Sequence, residues 1–241
     1  MQLQYLPLVF ISALTSLGGF DLIENKIHFS FPILISQSDP ADNANSGTPK
    51  GKRSPGGTRK PGDPIGTCPA KNKDIKAIVP ENVQGITTQD YPVFWFYIPY
   101  TETEVHSIEF SLVNADQFET VDRIPVTLKN TPEIVAISLP QTQENALQPD
   151  RTYKWNLVIN CTEKELGEEN DILLYGFIEK NPLENQGESA GFRYDEVTEK
   201  AEFYRDSPNN IQTQSEWREL LHSINLEEYF AEKIGEINLD E

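Results

Sequence analysis

Five carboxylates, Glu163, Glu165, Glu168, Glu169 and Asp171, crowd a short stretch just after Cys161. Two such groups at a fixed separation across a cleft hydrolyse glycosidic bonds, and several oxygens converging on one point hold calcium. The stretch lacks the Asp-x-Asp-x-Asp-Gly order of an EF-hand loop. Its plainer reading is a solvated acidic loop, with weak calcium binding through Glu165, Glu168, Glu169 and Asp171 as the alternative. Of three histidines, His28 lies in the N-terminal apolar region, and neither His106 nor His222 has a companion at ligand spacing. No GxSxG, P-loop or GxGxxG pattern occurs. A chain with no catalytic constellation and no cofactor is expected.

Cys68 and Cys161 stand 93 positions apart without a CxxC or a nearby histidine, which is not a zinc spacing. They are either two buried thiols or a disulfide, which in an exported chain would stabilise by about 4 kcal/mol through loop closure. Asn160-Cys161-Thr162 matches a glycosylation acceptor but sits on a strand predicted to face the core. Aromatic residues concentrate in VFWFYIPY at 93–100. Phe94, Trp95 and Phe96 read as core, whereas Tyr91, Tyr97 and Tyr100 are candidates for a sugar-stacking surface.

The 241 residues carry a formal charge of −18, which opposes binding along a polyanion and excludes nucleic acid as the expected partner. Only 37% of the residues are apolar, so part of the length is expected to lie outside a packed core. Residues 6–20 form an apolar run of signal-peptide length, though no Lys or Arg precedes it. A second run over 27–35 ends in Ser36-Gln37-Ser38, suited to cleavage before Asp39. Export is the favoured reading of residues 1–38, with a retained anchor or a cytoplasmic helix as alternatives. Residues 39–66 are rich in Ser, Asn, Pro and Gly and read as a disordered tether. Its Lys50, Lys52, Arg53, Arg59 and Lys60 either touch an anionic surface or belong to a solvated spacer.

From residue 67 the hydrophobic period becomes 2. Ile108, Phe110 and Leu112, then Val135, Ile137 and Leu139, alternate with smaller or polar neighbours. Tyr153, Trp155, Leu157, Ile159 and Cys161 share one face. The run over 93–100 is apolar on both faces and reads as the innermost strand. Further strands are expected over 75–79, 117–121, 124–128 and 172–179. With turn residues between them, these give an Ig-like antiparallel β-sandwich over 67–181, mainly β in class. Over 182–241 the period becomes about 3.6 and predicts an acidic appendage of three short α-helices. Tyr194, Val197, Ala201 and Tyr204 mark the first helix, Trp217, Leu220, Leu221 and Ile224 the second, and Leu226, Tyr229, Phe230 and Ile234 the third. Thr213 with Glu216, and Asn225 with Glu228, are spaced as capping boxes.

The basic lead-in KGKRSPGGTR, GTCPA at 66–70, IVPENVQGITTQDYPVFWFYIPY at 78–100, RTYKWNLVINC at 151–161 and the late WRELL and INLEEY segments together resemble a cyanobacterial family known as domain of unknown function 928. The resemblance spans roughly residues 48 to 235. The chain departs from it at 192–195, carrying Phe-Arg-Tyr-Asp where many members show a Gly-Ile-Trp-Tyr-Asp-like stretch. The resemblance implies an exported protein with a sandwich and a helical tail, and no established activity. The expectation is a non-catalytic interaction module of the periplasm or envelope, with an extracellular location as the alternative, whose partner is an envelope protein or glycan. The alternatives are a carbohydrate-binding module and a carboxylate- or calcium-dependent hydrolase acting on glycans.

Overall fold

The computed structural model describes residues 51–55, 64–166, 168–181 and 191–238. The segment read as an export signal, Lys50, Arg59 and Lys60 lie outside the described residues. All described residues belong to one unit, Gly47–Glu241. The fold is mainly β, with nine strands in two sheets and two α-helices among the described residues.

The strands are β1 (Lys76–Ala77), β2 (Gln84–Thr87), β3 (Val93–Ile98), β4 (Ser107–Asn114), β5 (Glu119–Pro125), β6 (Glu133–Ser138), β7 (Thr152–Asn160), β8 (Ile172–Lys180) and β9 (Ile234–Asn238). One sheet has the order β1-β3-β6-β9 and the other β2-β8-β7-β4-β5. Helices α1 (Tyr194–Asp206) and α2 (Ile211–Ser223) lie between β8 and β9 in the chain.

Strand β3 explains the layering. Its alternation sends Phe94, Phe96 and Ile98 into the core between the sheets, where they join Phe110, Leu112, Trp155 and Leu157. Trp95 and Tyr97 point the other way, into a second core with Ile134, Ala136, Val197, Trp217 and Leu221. Strand β6 is buried at every residue for the same reason. The four-stranded sheet is therefore covered on both faces, by the five-stranded sheet and by the helices. Each large apolar side chain so buried contributes about 1.5–3 kcal/mol.

The first helix is anchored through both cores. Tyr194, its first residue, is buried and accepts a hydrogen bond from the Trp155 indole (Nε1 to Oη, 2.7 Å), while its ring meets Phe94 edge-on at 5.4 Å. One turn later Thr198 Oγ1 accepts from Trp95 Nε1 at 3.0 Å. The 192–195 stretch thus sets a phenol under the central tryptophan of β7.

Several expectations need correction. The sheets are not wholly antiparallel: β2 runs parallel to β8, and β9 parallel to β6. A parallel neighbour requires a crossover, and β9 reaches the side of β6 only after the chain has passed through β7 and β8 of the other sheet and both helices. Strands expected over 117–121 and 124–128 form the single β5, because the chain turns at Ala115–Phe118, with Phe118 at φ 58°. The expected third helix is a short 3-10 turn (Glu227–Tyr229) followed by β9. Asn225 takes φ 57°, and the N–H of Leu226 bonds back to the Leu221 carbonyl, closing α2 and reversing the chain. The cap of α2 is Asn210, whose side chain accepts from Gln212 N at 2.8 Å, rather than Thr213. Helices α1 and α2 and strand β9 are accordingly packed into the layered body.

The described part of the expected tether is ordered into the same body. Lys52 exchanges two backbone hydrogen bonds with Tyr175 of β8 (2.6 and 2.9 Å). The Arg53 guanidinium donates from Nη1 to the carbonyls of Val79 (2.9 Å) and Ile224 (2.7 Å), tying the start of the sandwich to the end of α2.

Two substitutions test this packing. A Cβ at Gly176 would lie 2.4 Å from the Trp155 ring and 2.6 Å from the Val83 carbonyl, so Gly176→Ala is expected to lose about 2 kcal/mol in urea unfolding. Arg53→Ala is expected to lose about 2 kcal/mol by the same measurement, because charge-assisted bonds to buried carbonyls go unreplaced. Unchanged midpoints would contradict the described contacts.

Candidate functional site

Cys68 and Cys161 form a disulfide with Cα atoms 5.0 Å apart, joining the start of the sandwich to the end of β7. Asp171, just before β8, organises the surroundings of that bridge. Its Oδ1 accepts from Thr67 N (2.7 Å) and Lys164 Nζ (3.0 Å), and its Oδ2 from Thr67 Oγ1 (2.6 Å) and Cys161 N (3.0 Å). Burial alone would raise this carboxyl. The hydrogen bonds from Thr67, Cys161 and Lys164 outweigh it and carry the group from 3.8 down to about 2.

The donors of Asp171 are thus Thr67 and Cys161 at the bridge and Lys164 from the loop. Glu165, Glu168 and Glu169 are exposed, and the Glu168 carboxylate accepts from the Glu165 backbone N–H at 3.1 Å. Among the described residues the acidic set read for calcium does not gather. The group of potential ligands that does gather is Cys68, Cys161 and Asp171, within 4.8 Å of one another. Its two sulfurs are spent on the disulfide and its carboxylate on four donors.

The aromatic candidates also separate. Tyr97 is 5% exposed, and its ring lies 5.0 Å from that of Tyr229. Burial, reinforced by Glu232, pushes its phenol up to about 12. Tyr100 is 1% exposed, beneath Lys71. Tyr91 remains partly accessible and donates its hydroxyl to the Thr142 carbonyl at 2.9 Å. The three tyrosines make no common stacking row, and Trp95, Trp155 and Trp217 are all buried. His106 is exposed at the start of β4, and His222 is exposed beside Glu227.

Two surfaces among the described residues bring accessible aromatic and polar side chains together. One is a cleft of about 470 Å³ between α1 and the loop after β2, lined by Tyr91, Val93, Glu199, Glu202 and the half-exposed Phe203. Asp195 at its rim accepts from Thr87 Oγ1, Thr88 N and Thr88 Oγ1, and so fixes the loop to the start of α1. The other is the outer face of the five-stranded sheet. On β8, Ile172, Leu174 and Ile178 point inward with Gly176, which leaves Leu173, Tyr175 and Phe177 outward and half-buried. Lys52, Tyr175, Asn156, Ser111 and Arg123 are successive lateral neighbours across this face. The Lys154 ammonium lies 4.5 Å from the Tyr175 ring centroid, and Asn156 Nδ2 donates to Ser111 Oγ at 3.3 Å. Sequence reasoning passed over Tyr175 because it looked for exposed aromatics in the most aromatic run. The alternation of β8 was the available signal.

The Asp171 geometry has a pH consequence. A carboxylate depressed on folding adds stability above its unfolded pKa, and that stability is lost as pH falls through the folded one. For a shift from 3.8 to about 2, the contribution is on the order of 2 kcal/mol. Asp171→Asn is expected to lower urea stability by that amount at pH 7 and to flatten its decline between about pH 4 and pH 2. Parallel pH profiles for the two proteins would contradict the role given to Asp171.

No curated protein matches the chain. The family described as Domain of Unknown Function (DUF928) matches residues 54–234, which include the disulfide, both sheets as far as the start of β9, and both helices. The chain is a member of the DUF928 family.

Proposed function

We propose that this chain is an exported, non-catalytic interaction module of the periplasm or envelope, built on an Ig-like sandwich, that offers to a partner the outer face of its five-stranded sheet, which no described helix covers. That face carries the reading: helices cover the corresponding side of the other sheet, whereas here half-exposed aromatic and cationic side chains lie side by side. The Cys68–Cys161 bridge supports export, since disulfides persist in oxidising compartments. The strongly depressed carboxylate, Asp171, is bound by structural donors, which supports a scaffold role for it in place of acid–base chemistry.

A glycan hydrolase is the rival reading, and one observation favours it: Glu199 and Glu202 line the cleft beside α1. Two measurements separate the readings. Alkylation of the native protein without reductant, after cell fractionation, is expected to find no free thiol and no cytoplasmic pool. Incubation of the full chain with envelope polysaccharide is expected to release no reducing ends. A cytoplasmic protein with two reactive thiols, or release that disappears in Glu199→Gln, would overturn the proposal.

A further inference from the structure

We infer that the outer face of the five-stranded sheet binds an anionic polysaccharide strand; this rests on the reading of the chain as an interaction module and names the partner's chemistry. Three observations on that face converge. The first is charge. In a chain of net −18, Lys52 and Lys154 flank Tyr175, Lys52 as its paired neighbour on one side and Lys154 over its ring at 4.5 Å. Of the carboxylates on this face, Glu109 is held by Arg123 at 2.7 Å, and the exposed Glu179 follows Phe177 on the same side of β8, beyond the Lys52–Tyr175–Lys154 cluster. The centre of the patch therefore attracts carboxylate or sulfate groups.

The second is aromatic surface. Tyr175 and Phe177 project from the same side of β8 two residues apart, about 7 Å along the strand, and each supplies an apolar ring for the face of a sugar. The third is hydrogen bonding. Asn156, half-buried, continues the row from Tyr175 toward β5 with its amide oriented by the buried Ser111 hydroxyl, and that amide suits sugar hydroxyls. A broad sheet with alternating apolar and polar groups and no deep pocket fits a linear chain lying across it. Its apolar area, Leu173, Val158, Tyr175 and Phe177 interspersed with lysine and asparagine, is too broken to insert into a lipid bilayer.

The test uses the full chain and two polymers, polygalacturonate as a linear polyuronate and dextran as a neutral control, in affinity electrophoresis at low salt. Retardation by polygalacturonate, lost as salt is raised, and none by dextran are expected. Tyr175→Ala and Lys154→Gln are each expected to weaken the interaction about fivefold with unchanged thermal unfolding. Lys200→Gln on α1, away from the sheet, is expected to leave it unchanged. No retardation by polygalacturonate, equal retardation by dextran, or an equal loss in Lys200→Gln overturns the inference and leaves the module reading standing. Cleavage of the bound polymer overturns the module reading while the face remains the binding site.

Discussion

Strand β3 cannot be half-buried, and the architecture follows from that constraint. Phe94 and Phe96 on one side and Trp95 and Tyr97 on the other require apolar cover in both directions. The five-stranded sheet supplies one cover and α1 with α2 the other. Once the helices are committed to that role, no described helix covers the far side of the five-stranded sheet. The exposed face is thus a consequence of the same packing that buries the aromatic run.

The connections between layers are polar as well as apolar. Trp155 and Trp95, one in each core, donate to Tyr194 and Thr198, which lie one turn apart on α1, so a single helix registers both sheets. Arg53 fastens the end of α2 to the carbonyl of Val79 just beyond β1. Cys68, Cys161 and Asp171 fasten the start of the sandwich to the ends of β7 and β8. Each carries a buried donor or charge with its partners supplied, the condition under which such groups stabilise a fold.

Much of the layering is legible in the sequence. A run that is apolar at every position, VFWFYIPY, states that its strand is buried twice, and the alternation of β7 places Cys161 near the core face. The short β2 is not legible, because QGIT has no periodicity and Gly85 is required only by the close approach of Phe192 and Tyr194. Strand β9 is hidden because Leu226, Tyr229 and Ile234 mimic a helical stripe, although after the left-handed turn at Asn225 only a 3-10 turn forms before the chain extends into β9. Arg53 looks like one more tether cation, since its carbonyl partners lie 26 and 171 residues away. The candidate surface was obscured for a related reason: aromatic density marks a doubly covered strand, whereas Tyr175 and Phe177 are sparser rings on the outer side of β8.

Native-state hydrogen exchange measured residue by residue tests the layered account most directly. If the helices are the obligatory cover of β3, the amides of α1 and β3 exchange through one cooperative opening with a common free energy and a common dependence on denaturant. Exchange of α1 through a separate opening of much lower free energy, with β3 still fully protected, would contradict it and return the helices to the status of an appendage.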